Sequence, residues 1–465
     1  MTILDIDPGD IESRPGPRYR AIADAIADVA DRFPAGTKLP PMRALAYELD
    51  VTVGTVSRAY ALAVQEGHVV SEVGRGTFVK GAPTEETSDW RGETRDETHP
   101  LAMKVALAPE IGQSEKLRRS MADFLARMQA QAFNGYLAGG GTPAHRAAAA
   151  SWMARGSFTP QADDMLVCSG AQQAILTALL AATAPGDIVL VEELTFRASA
   201  VQAGAIGRQV VPVAIDGEGL VPAALEDAIA RHRPSALICV PSLHNPTCAV
   251  MGPARRQRIA EIVKAAGLAI IEDDVYGAYL DAPPPPISAF APDHTFFVSS
   301  LSKSVACGLR FGFLRPPARY REACRGLLYG LGQTVPLVMA DFCTGLIESG
   351  EAAAILELVR AEARRRQALA CEKLDRLIVG AHPQALYVWL DLGGRWTAHG
   401  FAEAARARGL DLATADEFSP VPSGPAARHV RLAVSQPPRL EDLGRALESV
   451  NELVAAGPCA APTLV

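Results

Sequence analysis

The sequence contains no continuous apolar run of the roughly 20 residues that a helix needs to cross a bilayer. The segment Met1–Asp7 also lacks the basic and apolar stretches of a signal peptide, so we expect a cytoplasmic protein without membrane contact. The 8 cysteines are scattered and include no Cys-x-x-Cys pair, which argues against a disulfide framework and a zinc site. We therefore expect free, buried thiols and no bound metal.

Charge and length narrow the class of protein further. A net charge of −7 argues against broad affinity for nucleic acid, so any DNA contact has to come from a local patch. The hydrophobic fraction of 49% and the charged fraction of 21% are those of a soluble globular protein. At 465 residues the chain is too long for one core, and we expect roughly two to four domains.

The first eighty residues have the pattern of a small helical domain. Apolar residues at spacings of three and four predict an amphipathic helix from Arg18 to Phe33. A second helix is predicted from about Pro41, and a third, capped by Thr52 or Thr55, is predicted to end at Gly67. Two short apolar strands then predict a hairpin. Three helices followed by a hairpin are typical of a winged helix-turn-helix, which we place at residues 12–80.

Three segments of this domain, Gly36–Ala46, Val53–Tyr60 and Gly74–Val79, resemble the GntR family of bacterial transcription regulators. The resemblance implies that DNA is contacted by residues of the second helix, the third helix and the wing, namely Arg43, Thr52, Gly54, Thr55, Ser57 and Gly76. Residues 14–80 contain nine Lys or Arg against seven Asp or Glu, a weak positive charge, so we expect two copies to bind one double-stranded operator. The alternative is a protein-interaction domain with a similar helical trio.

Residues 81–100 are polar, acidic and almost free of aliphatic side chains. Such a segment cannot bury enough surface to order itself, so we interpret it as a flexible linker. Trp90 is the exception, and we expect it to dock on a neighbouring domain.

From about residue 160, apolar runs alternate with amphipathic stretches, as in Ile188–Glu192, Ala236–Pro241, Ala269–Asp273, Phe296–Val298 and Phe311–Leu314. The runs are too continuous to have a solvated face, which predicts a mostly parallel sheet covered by helices in an α/β fold. Ligands of such sheets bind at the carboxyl ends of the strands. The candidate chemical residues of this sequence lie at those ends.

Lys303 is the most informative of these residues. It follows Ser300-Leu301-Ser302 and precedes Arg310 by seven residues. An apolar flank and a nearby cation both lower the pKa of a lysine, which lets it form a Schiff base with an aldehyde. The two serine hydroxyls and the guanidinium are also suitable phosphate ligands. This combination indicates pyridoxal phosphate, although a lysine in a serine-rich loop is more often simply solvated.

Other strand ends carry polar residues that suit the same cofactor. Asp273 would be costly to bury unless it met a cation, and a pyridinium nitrogen is such a cation. Asn245 and Tyr276 are suited to hydrogen bonds with a phenolate oxygen, although Asn-Pro is more often only a turn. Arg431 lies inside an apolar strand, where a carboxylate partner would justify it.

Two further positions have simple structural alternatives. Ala171 and Gln172 follow Ser169-Gly170 and open a helix predicted at Ala174–Ala182, where free amides favour a phosphate but also serve as a plain helix start. Phe196 either stacks on a cofactor ring or belongs to the core.

Residues 115–455 resemble the fold-type I, class I/II aminotransferases on these motifs taken together. The resemblance implies that Lys303 carries the cofactor, and it implies cofactor contacts by Ala171, Gln172, Phe196, Asn245, Asp273, Tyr276, Ser300, Ser302, Arg310 and, from the neighbouring subunit, Tyr136. It assigns Arg431 to the carboxylate of a substrate or effector. We place this domain at residues 101–458, with a large lobe at about 130–330 and a small lobe at about 350–458.

A GntR-like domain joined to an aminotransferase-like domain is similar to the MocR (PdxR/GabR-like) regulators. The resemblance implies a homodimeric regulator that senses a small amino acid, an amine or pyridoxal phosphate itself by transaldimination at Lys303. Two alternatives are a working aminotransferase with an added DNA-binding domain and a DNA-binding protein whose large domain has lost the cofactor. Phe196, Cys248 and Cys307 replace the commoner tyrosine, glycine and proline, and Cys248 adds bulk near the ring. The Asp-x-x-Gly expected after Tyr136 is absent.

Overall fold

The computed structural model describes residues 11, 14, 16–30, 37–65, 68–72, 76–79, 101–129, 133–137, 139–331, 335–420 and 428–458. They form two compact units, and the division falls after Thr94. The predicted linker at 81–100, the predicted wing turn at 73–75 and the predicted end of the first helix at 31–33 lie outside the described residues.

The first unit has the predicted order of helices and hairpin. Its elements are α1 (Arg18–Ala30), α2 (Met42–Glu48), α3 (Val53–Gln65), β1 (Val69–Glu72) and β2 (Gly76–Val79). The apolar faces of α1 and α3 pack on each other through Ile22, Ile26, Val56 and Tyr60, which are buried. The Tyr60 hydroxyl donates to the Pro40 carbonyl at 2.7 Å and so joins α3 to the start of α2. The winged helix-turn-helix is confirmed.

The second unit begins with alternating helices and strands. In chain order they are α4 (Gln113–Arg127), α5 (Pro143–Met153), β3 (Leu166–Cys168), α6 (Ala171–Ala182), β4 (Ile188–Glu192), α7 (Arg197–Ala205), β5 (Gln209–Val213), β6 (Ile215–Asp216), β7 (Gly219–Leu220), α8 (Pro222–His232), β8 (Ala236–Cys239), α9 (Pro253–Ala266), β9 (Ala269–Asp273), α10 (Ile287–Phe290), β10 (Thr295–Ser300), β11 (Gly312–Arg315) and α11 (Arg321–Gly330).

Seven of these strands form one sheet in the order β3-β11-β10-β9-β8-β4-β5. The pairs from β10 through β9, β8 and β4 to β5 are parallel, whereas β11 is antiparallel to both β10 and β3. Every residue of β8, β9 and β10 is buried, because helices cover both faces. The predicted mostly parallel sheet is confirmed, with β10 longer than the predicted Phe296–Val298 so that it includes Ser300.

The rest of the unit contains a smaller antiparallel sheet. Its elements are α12 (Leu337–Glu348), α13 (Glu351–Leu374), β12 (Ile378–Gly380), β13 (Val388–Asp391), α14 (Ala398–Arg406), β14 (Ala413–Thr414), β15 (His429–Leu432) and α15 (Leu440–Ala456). The strand order is β12-β13-β15-β14, and one face packs against α14 and α15. Because side chains alternate along a strand, Arg431 of β15 points to the opposite face, toward the large sheet.

The described residues bear on what the sequence predicted about membrane crossing, metal binding and the cysteines. None of their helices combines the length and hydropathy that a bilayer crossing requires. Among them, no group of three or more His, Cys, Asp or Glu side chains is arranged to hold a metal ion. The thiols they contain are free, but Cys307 and Cys371 are exposed, so the expectation of buried cysteines was wrong for these two. Cys307 lies in a surface 3-10 turn and Cys371 on an outer face of α13.

Candidate cofactor site and nucleic-acid interface

Lys303 lies in the turn that follows β10, at the carboxyl end of the sheet. Its side chain is partly buried, and the ammonium Nζ donates to the Ala106 carbonyl at 2.9 Å. The Tyr279 hydroxyl donates to the Lys303 carbonyl at 2.6 Å and so fixes the backbone of the turn. The lysine is therefore held at the strand end where ligands of parallel sheets bind.

Two buried hydroxyls flank the lysine. Ser300 is 1% exposed and Ser302 is 7% exposed. Neither Oγ atom has a hydrogen-bond partner within the described part of the chain. Because buried polar groups in folded proteins are nearly always paired, two unpaired hydroxyls side by side indicate an acceptor that the protein does not supply.

The start of α6 lies close to Ser300, because Ser300 of β10 pairs with Gly312 of β11 and Gly312 lies against the backbone of Gly170. Gly170, with φ of 83°, precedes the helix without a side-chain cap, so the first-turn amides have no partner from a capping side chain. The Arg310 guanidinium lies over Gly170, where a Cβ would come within 3.0 Å of its Cζ atom, and it donates to the Ser169 carbonyl at 3.3 Å. The helix starts at Ala171, earlier than the predicted Ala174, which places Ala171 and Gln172 in the first turn. Amides, hydroxyls and a guanidinium thus converge as a phosphate would require.

Buried carboxylates end β4 and β9, and protein groups pair with most of them. The paired carboxylates are Glu192 (Val240 N at 3.0 Å and His244 Nε2 at 3.3 Å), Glu272 (Ile287 N and Ser288 N, both at 2.9 Å) and Asp274 (Ser242 Oγ at 2.6 Å and Arg155 Nη2). Asp273 is 4% exposed, and the Val275 amide donates to it from 3.4 Å. Asp273 is thus the carboxylate with the weakest compensation in this group.

The ionisation of Asp273 reflects that position. Burial is the main cause that raises the pKa of Asp273 from 3.8 to about 7, and the charges of Asp274 and Glu192 raise it further. The Val275 amide and the charge of Lys303 oppose this rise. A cation in contact with the Asp273 carboxylate would lower this pKa and keep the group ionised at lower pH. A protonated pyridine nitrogen is such a cation.

Asn245 and Arg431 meet between the two sheets. The Arg431 Nη1 donates to Asn245 Oδ1 at 2.7 Å, and its Nη2 donates to the Lys104 carbonyl. The guanidinium lies 5.3 Å from the ring centroid of Tyr387 and 4.7 Å from that of Phe418. This arginine is therefore oriented by an amide and by two aromatic faces.

Tyr276, Phe196 and Tyr136 differ in their surroundings. Tyr276 is buried and packs edge-on against Tyr387, at 5.7 Å between ring centroids. Phe196 is half-buried at the start of α7, and the preceding amide of Thr195 donates to the Phe418 carbonyl at 2.8 Å. Tyr136 is fully exposed at 101%. The structure brings Tyr276 to the Asn245 and Arg431 pair and leaves Tyr136 outside any packed group of its own chain.

The N-terminal unit presents most of its predicted DNA contacts on its surface. Thr52 caps α3, because its Oγ1 accepts from the Thr55 amide at 3.2 Å. Thr52, Gly54 and Ser57 are exposed, as is Arg43 on α2, whereas Thr55 is partly buried. The helix start thus displays short polar groups, which suits contact with base edges and phosphates.

The wing glycine has a close neighbour that the sequence did not suggest. Gly76 has φ of 124°, and a Cβ there would come within 2.8 Å of Lys38 Cε. Lys38 pairs with Phe78 in an isolated β-bridge, and the Leu39 amide donates to the Thr77 carbonyl at 2.8 Å. The exposed Lys38 therefore lies across the wing beside Gly76, and its ammonium Nζ is 5.8 Å from the centroid of the Phe78 ring.

Comparison with known proteins identifies both units. Residues 107–434 match the family described as aminotransferase class I and II, and residues 18–79 match the bacterial regulatory proteins of the gntR family. The chain is 30% identical over 450 residues to the HTH-type transcriptional regulator YdeF of Bacillus subtilis, which covers 96% of each chain. It belongs to the MocR-type regulators of the gntR family.

A second relative and two solved structures extend this match. The vitamin B6 salvage pathway transcriptional repressor PtsJ of Salmonella typhimurium is 28% identical over 380 residues, covering 81% of this chain and 85% of that one. The aspartate aminotransferase of Thermus thermophilus with maleate has a TM-score of 0.68 at 24% identity, covering 76% and 91% of the two chains. LysN of Thermus thermophilus, complexed with N-(5'-phosphopyridoxyl)-L-leucine, has a TM-score of 0.66 at 23% identity, covering 76% and 93%. The structural likeness establishes the fold of the regulator's second unit.

Sequence reasoning missed several groups around this site. Glu192 ends an apolar strand just as Asp273 does, so the same signal would have identified it. Arg155 and His244 lie in loops with no such signal, and their roles depend on contacts that only the folded chain creates. Cys248, where glycine is usual, has φ of 65°, in the left-handed region that favours glycine, and its Sγ lies 3.1 Å from the Tyr387 carbonyl.

Proposed function

We propose that this transcription regulator binds pyridoxal phosphate at Lys303 and senses a small amino acid or amine there. The observation that carries the proposal is the pair of buried hydroxyls of Ser300 and Ser302 beside Lys303, neither of which has a partner among the described residues. Arg310 and the first turn of α6 complete a cradle for a doubly charged phosphate. Pyridoxal phosphate, when bound, supplies an aldehyde that reacts with amines.

The remaining residues would orient the ring. Asp273 would hold a proton on the ring nitrogen, which explains a carboxylate that has little other compensation. Asn245 and Tyr276 would donate to the ring oxygen, and Phe196 would lie against the ring face. The phosphate contacts would include Ala171, Gln172, Ser300, Ser302 and Arg310. Lys303 would be bound to the cofactor in the absence of effector and free to accept a proton in its presence.

Arg431 would bind the carboxylate of an amino-acid effector. Its guanidinium is already oriented by Asn245 and by the rings of Tyr387 and Phe418, so little side-chain entropy is lost on binding. Asn245 lies in the loop that follows β8 of the large sheet, and Arg431 lies in β15 of the small sheet, so an effector that contacts both residues would hold these two parts of the unit together. A ligand shifts such an equilibrium only if it binds the two arrangements with different affinity.

Two copies of the chain would bind one operator. Tyr136 is fully exposed in the isolated chain, which fits a side chain that reaches the cofactor phosphate of a second copy. The DNA contacts would be Arg43, Thr52, Gly54, Thr55, Ser57 and Gly76, with Lys38 as a further contact to a phosphate. The effector signal would pass through residues 81–100.

The visible spectrum tests the cofactor assignment. Protein incubated with pyridoxal phosphate should show an absorption band that the Lys303→Ala variant lacks, and borohydride should fix the cofactor to the peptide that contains Lys303. A band of equal strength in Lys303→Ala would contradict the assignment. Operator affinity measured with and without amino acids then tests sensing, and identical affinities and footprints throughout would refute it.

A second candidate function is catalysis of transamination. The presence of Lys303, Asp273 and Arg431 favours it, because these groups would hold the amine, the ring and the carboxylate of a substrate. Sustained production of a 2-oxo acid from an amino acid would establish this function. Binding of the amino acid without turnover would leave the sensory function alone.

A further inference from the structure

Residues 102–106 form a short strap that packs against the cores of both sheets of the second unit. They belong to no helix or strand. Met103 is buried in the cluster that contains Val430 of the small sheet, and Ala106 is buried in the cluster that contains Phe297 of the large sheet. The predicted linker at 81–100, which leads to the DNA-binding unit, ends just before the strap. A shift of the strap is therefore passed along the chain to that linker.

Four contacts tie the strap to the part of the chain between residues 411 and 436. They are Met103 N to the Asp411 carbonyl at 2.6 Å, Ala433 N to the Met103 carbonyl at 2.6 Å, Val105 N to Gln436 Oε1 at 2.7 Å, and Lys104 Nζ to Glu417 Oε2 at 3.1 Å. Because the strap has no regular secondary structure, its position depends on single contacts such as these and not on a ladder of hydrogen bonds.

Two carbonyls of the same strap accept hydrogen bonds from the two cationic residues of the proposed effector site. The Arg431 Nη2 donates to the Lys104 carbonyl, and the Lys303 Nζ donates to the Ala106 carbonyl at 2.9 Å. A guanidinium has five N–H donors, so Arg431 can bind an effector carboxylate and still keep its contact with Lys104. The Lys303 contact is different, because the proposed chemistry takes place on its Nζ atom.

The hydrogens on Nζ decide whether the Lys303 contact is made. An ammonium has three N–H donors, whereas a nitrogen joined to an aldehyde carbon by a C=N bond has at most one and is fixed in place by that carbon. When an effector ammonium forms its own C=N bond to the carbon, the C=N bond to Lys303 breaks, and two hydrogens pass from the effector nitrogen to Nζ. Lys303 is then again the ammonium that donates to Ala106 in the structure.

We propose that the strap reports the state of the cofactor site, because Lys303 holds it through Ala106 only when the lysine is not joined to the cofactor. The inference rests on the proposed binding of pyridoxal phosphate at Lys303 and adds the element through which the effector signal leaves the site. The cofactor alone releases the strap, and an effector that displaces Lys303 fastens it again. Lys104 is a positioning residue, since its ion pair with Glu417 holds the strap and involves none of the residues assigned to the cofactor.

Hydrogen–deuterium exchange of the full-length protein measures the strap through the amides of Met103 and Val105. Three samples are compared, namely the protein alone, the protein with pyridoxal phosphate, and the second sample after addition of excess methoxyamine. Methoxyamine is a small amine that takes the aldehyde carbon from a lysine. The visible absorption band of the same samples shows independently whether the cofactor has been bound by Lys303 and then displaced from it.

The strap amides should exchange at least about tenfold faster with pyridoxal phosphate than without it, because the strap loses a hydrogen bond from a charged group. Methoxyamine should restore the slow rate. In Lys303→Ala the amides should exchange fast in all three samples. Unchanged or slower exchange in a wild type that shows the absorption band would overturn the inference and leave the cofactor assignment intact, whereas absence of the band would overturn both.

Two matched variants test the route from the strap to DNA. Lys104→Gln breaks the ion pair with Glu417, and Lys373→Gln breaks an equally accessible ion pair with Glu448 on the helices α13 and α15. Lys104→Gln should speed exchange of the strap amides by about two- to fivefold. On a DNA duplex that the wild type has selected from random sequences, it should also weaken the effect of methoxyamine on affinity, whereas Lys373→Gln should change neither quantity. The same effect of methoxyamine on affinity in the wild type and both variants would overturn the proposed route.

Discussion

Replacing Asp273 by asparagine would separate two effects of this buried carboxylate. One is the free energy that its ionisation costs in the folded protein, and the other is its proposed contact with the cofactor. Burial is the main reason that the Asp273 pKa rises from 3.8 to about 7. Asparagine has the same shape and does not ionise. A pKa difference of about 3 units between folded and unfolded states corresponds to ~4 kcal/mol of stability that depends on pH.

The sign of the pH dependence follows from the raised pKa. A carboxyl group with a folded-state pKa above its unfolded value contributes its full stability below pH ~4 and loses it as the pH rises through about 7. The cofactor-free wild type therefore carries the ionisation cost at pH 8, whereas Asp273→Asn does not. We expect the stability of the variant relative to the wild type to grow by ~3 kcal/mol between pH 5 and pH 8.

Bound pyridoxal phosphate should favour the stability of the wild type over that of Asp273→Asn. A cationic ring nitrogen compensates the Asp273 carboxylate, so pyridoxal phosphate should stabilise the wild type more than Asp273→Asn at pH 8. Urea unfolding followed by near-ultraviolet circular dichroism, at pH 5 and pH 8 with and without cofactor, measures both effects. A stability difference that does not change with pH, or equal stabilisation of both proteins by the cofactor, would refute the reasoning.

Three further outcomes are expected. Ser300→Ala and Ser302→Ala should each weaken pyridoxal phosphate binding by about 10- to 100-fold in equilibrium dialysis, because each loses a hydrogen bond to a charged group; unchanged affinity in both would contradict the cradle. Arg431→Gln should weaken amino-acid effectors by at least about tenfold in spectroscopic titrations and leave simple amines unaffected; equal losses for both ligands would count against a carboxylate contact. Lys38→Gln should lower the salt dependence of operator binding by about 0.9 per copy, whereas the exposed Arg365→Gln should not; equal slopes for the two variants would exclude Lys38 from the interface.

Much of the fold was predictable because hydrophobic periodicity reflects burial directly. Ile188–Glu192 and Ala269–Asp273 were predicted to the residue, since both are uniformly apolar and their ends are marked by carboxylates. The direction of β11 was not predictable, because a short apolar run such as Phe311–Leu314 is compatible with either direction. The start of α6 at Ala171 also escaped prediction, because a glycine with positive φ replaces the usual capping side chain.

The site was predictable where its residues follow one another in the chain. Ser300, Ser302 and Lys303 form one segment, so their common role is visible without a structure. Arg155 reaches its carboxylate across 119 residues, and Arg431 reaches Asn245 across 186. Pairs of this kind depend on how the sheets and loops pack, and no local pattern of residue types encodes them.

The carboxylates at the ends of β4 and β9 show how the structure adds to the sequence. Glu192, Glu272, Asp273 and Asp274 all follow buried apolar runs, and each has the same sequence signal for a charge that needs a partner. The fold provides amides, a histidine, a serine or an arginine for three of them. It provides Asp273 with one amide at 3.4 Å, so the need for a cation from outside the protein falls on this residue. Asp273 is therefore the carboxylate that we assign to the ring nitrogen of the cofactor, because the fold gives it the weakest hydrogen bonding of the four.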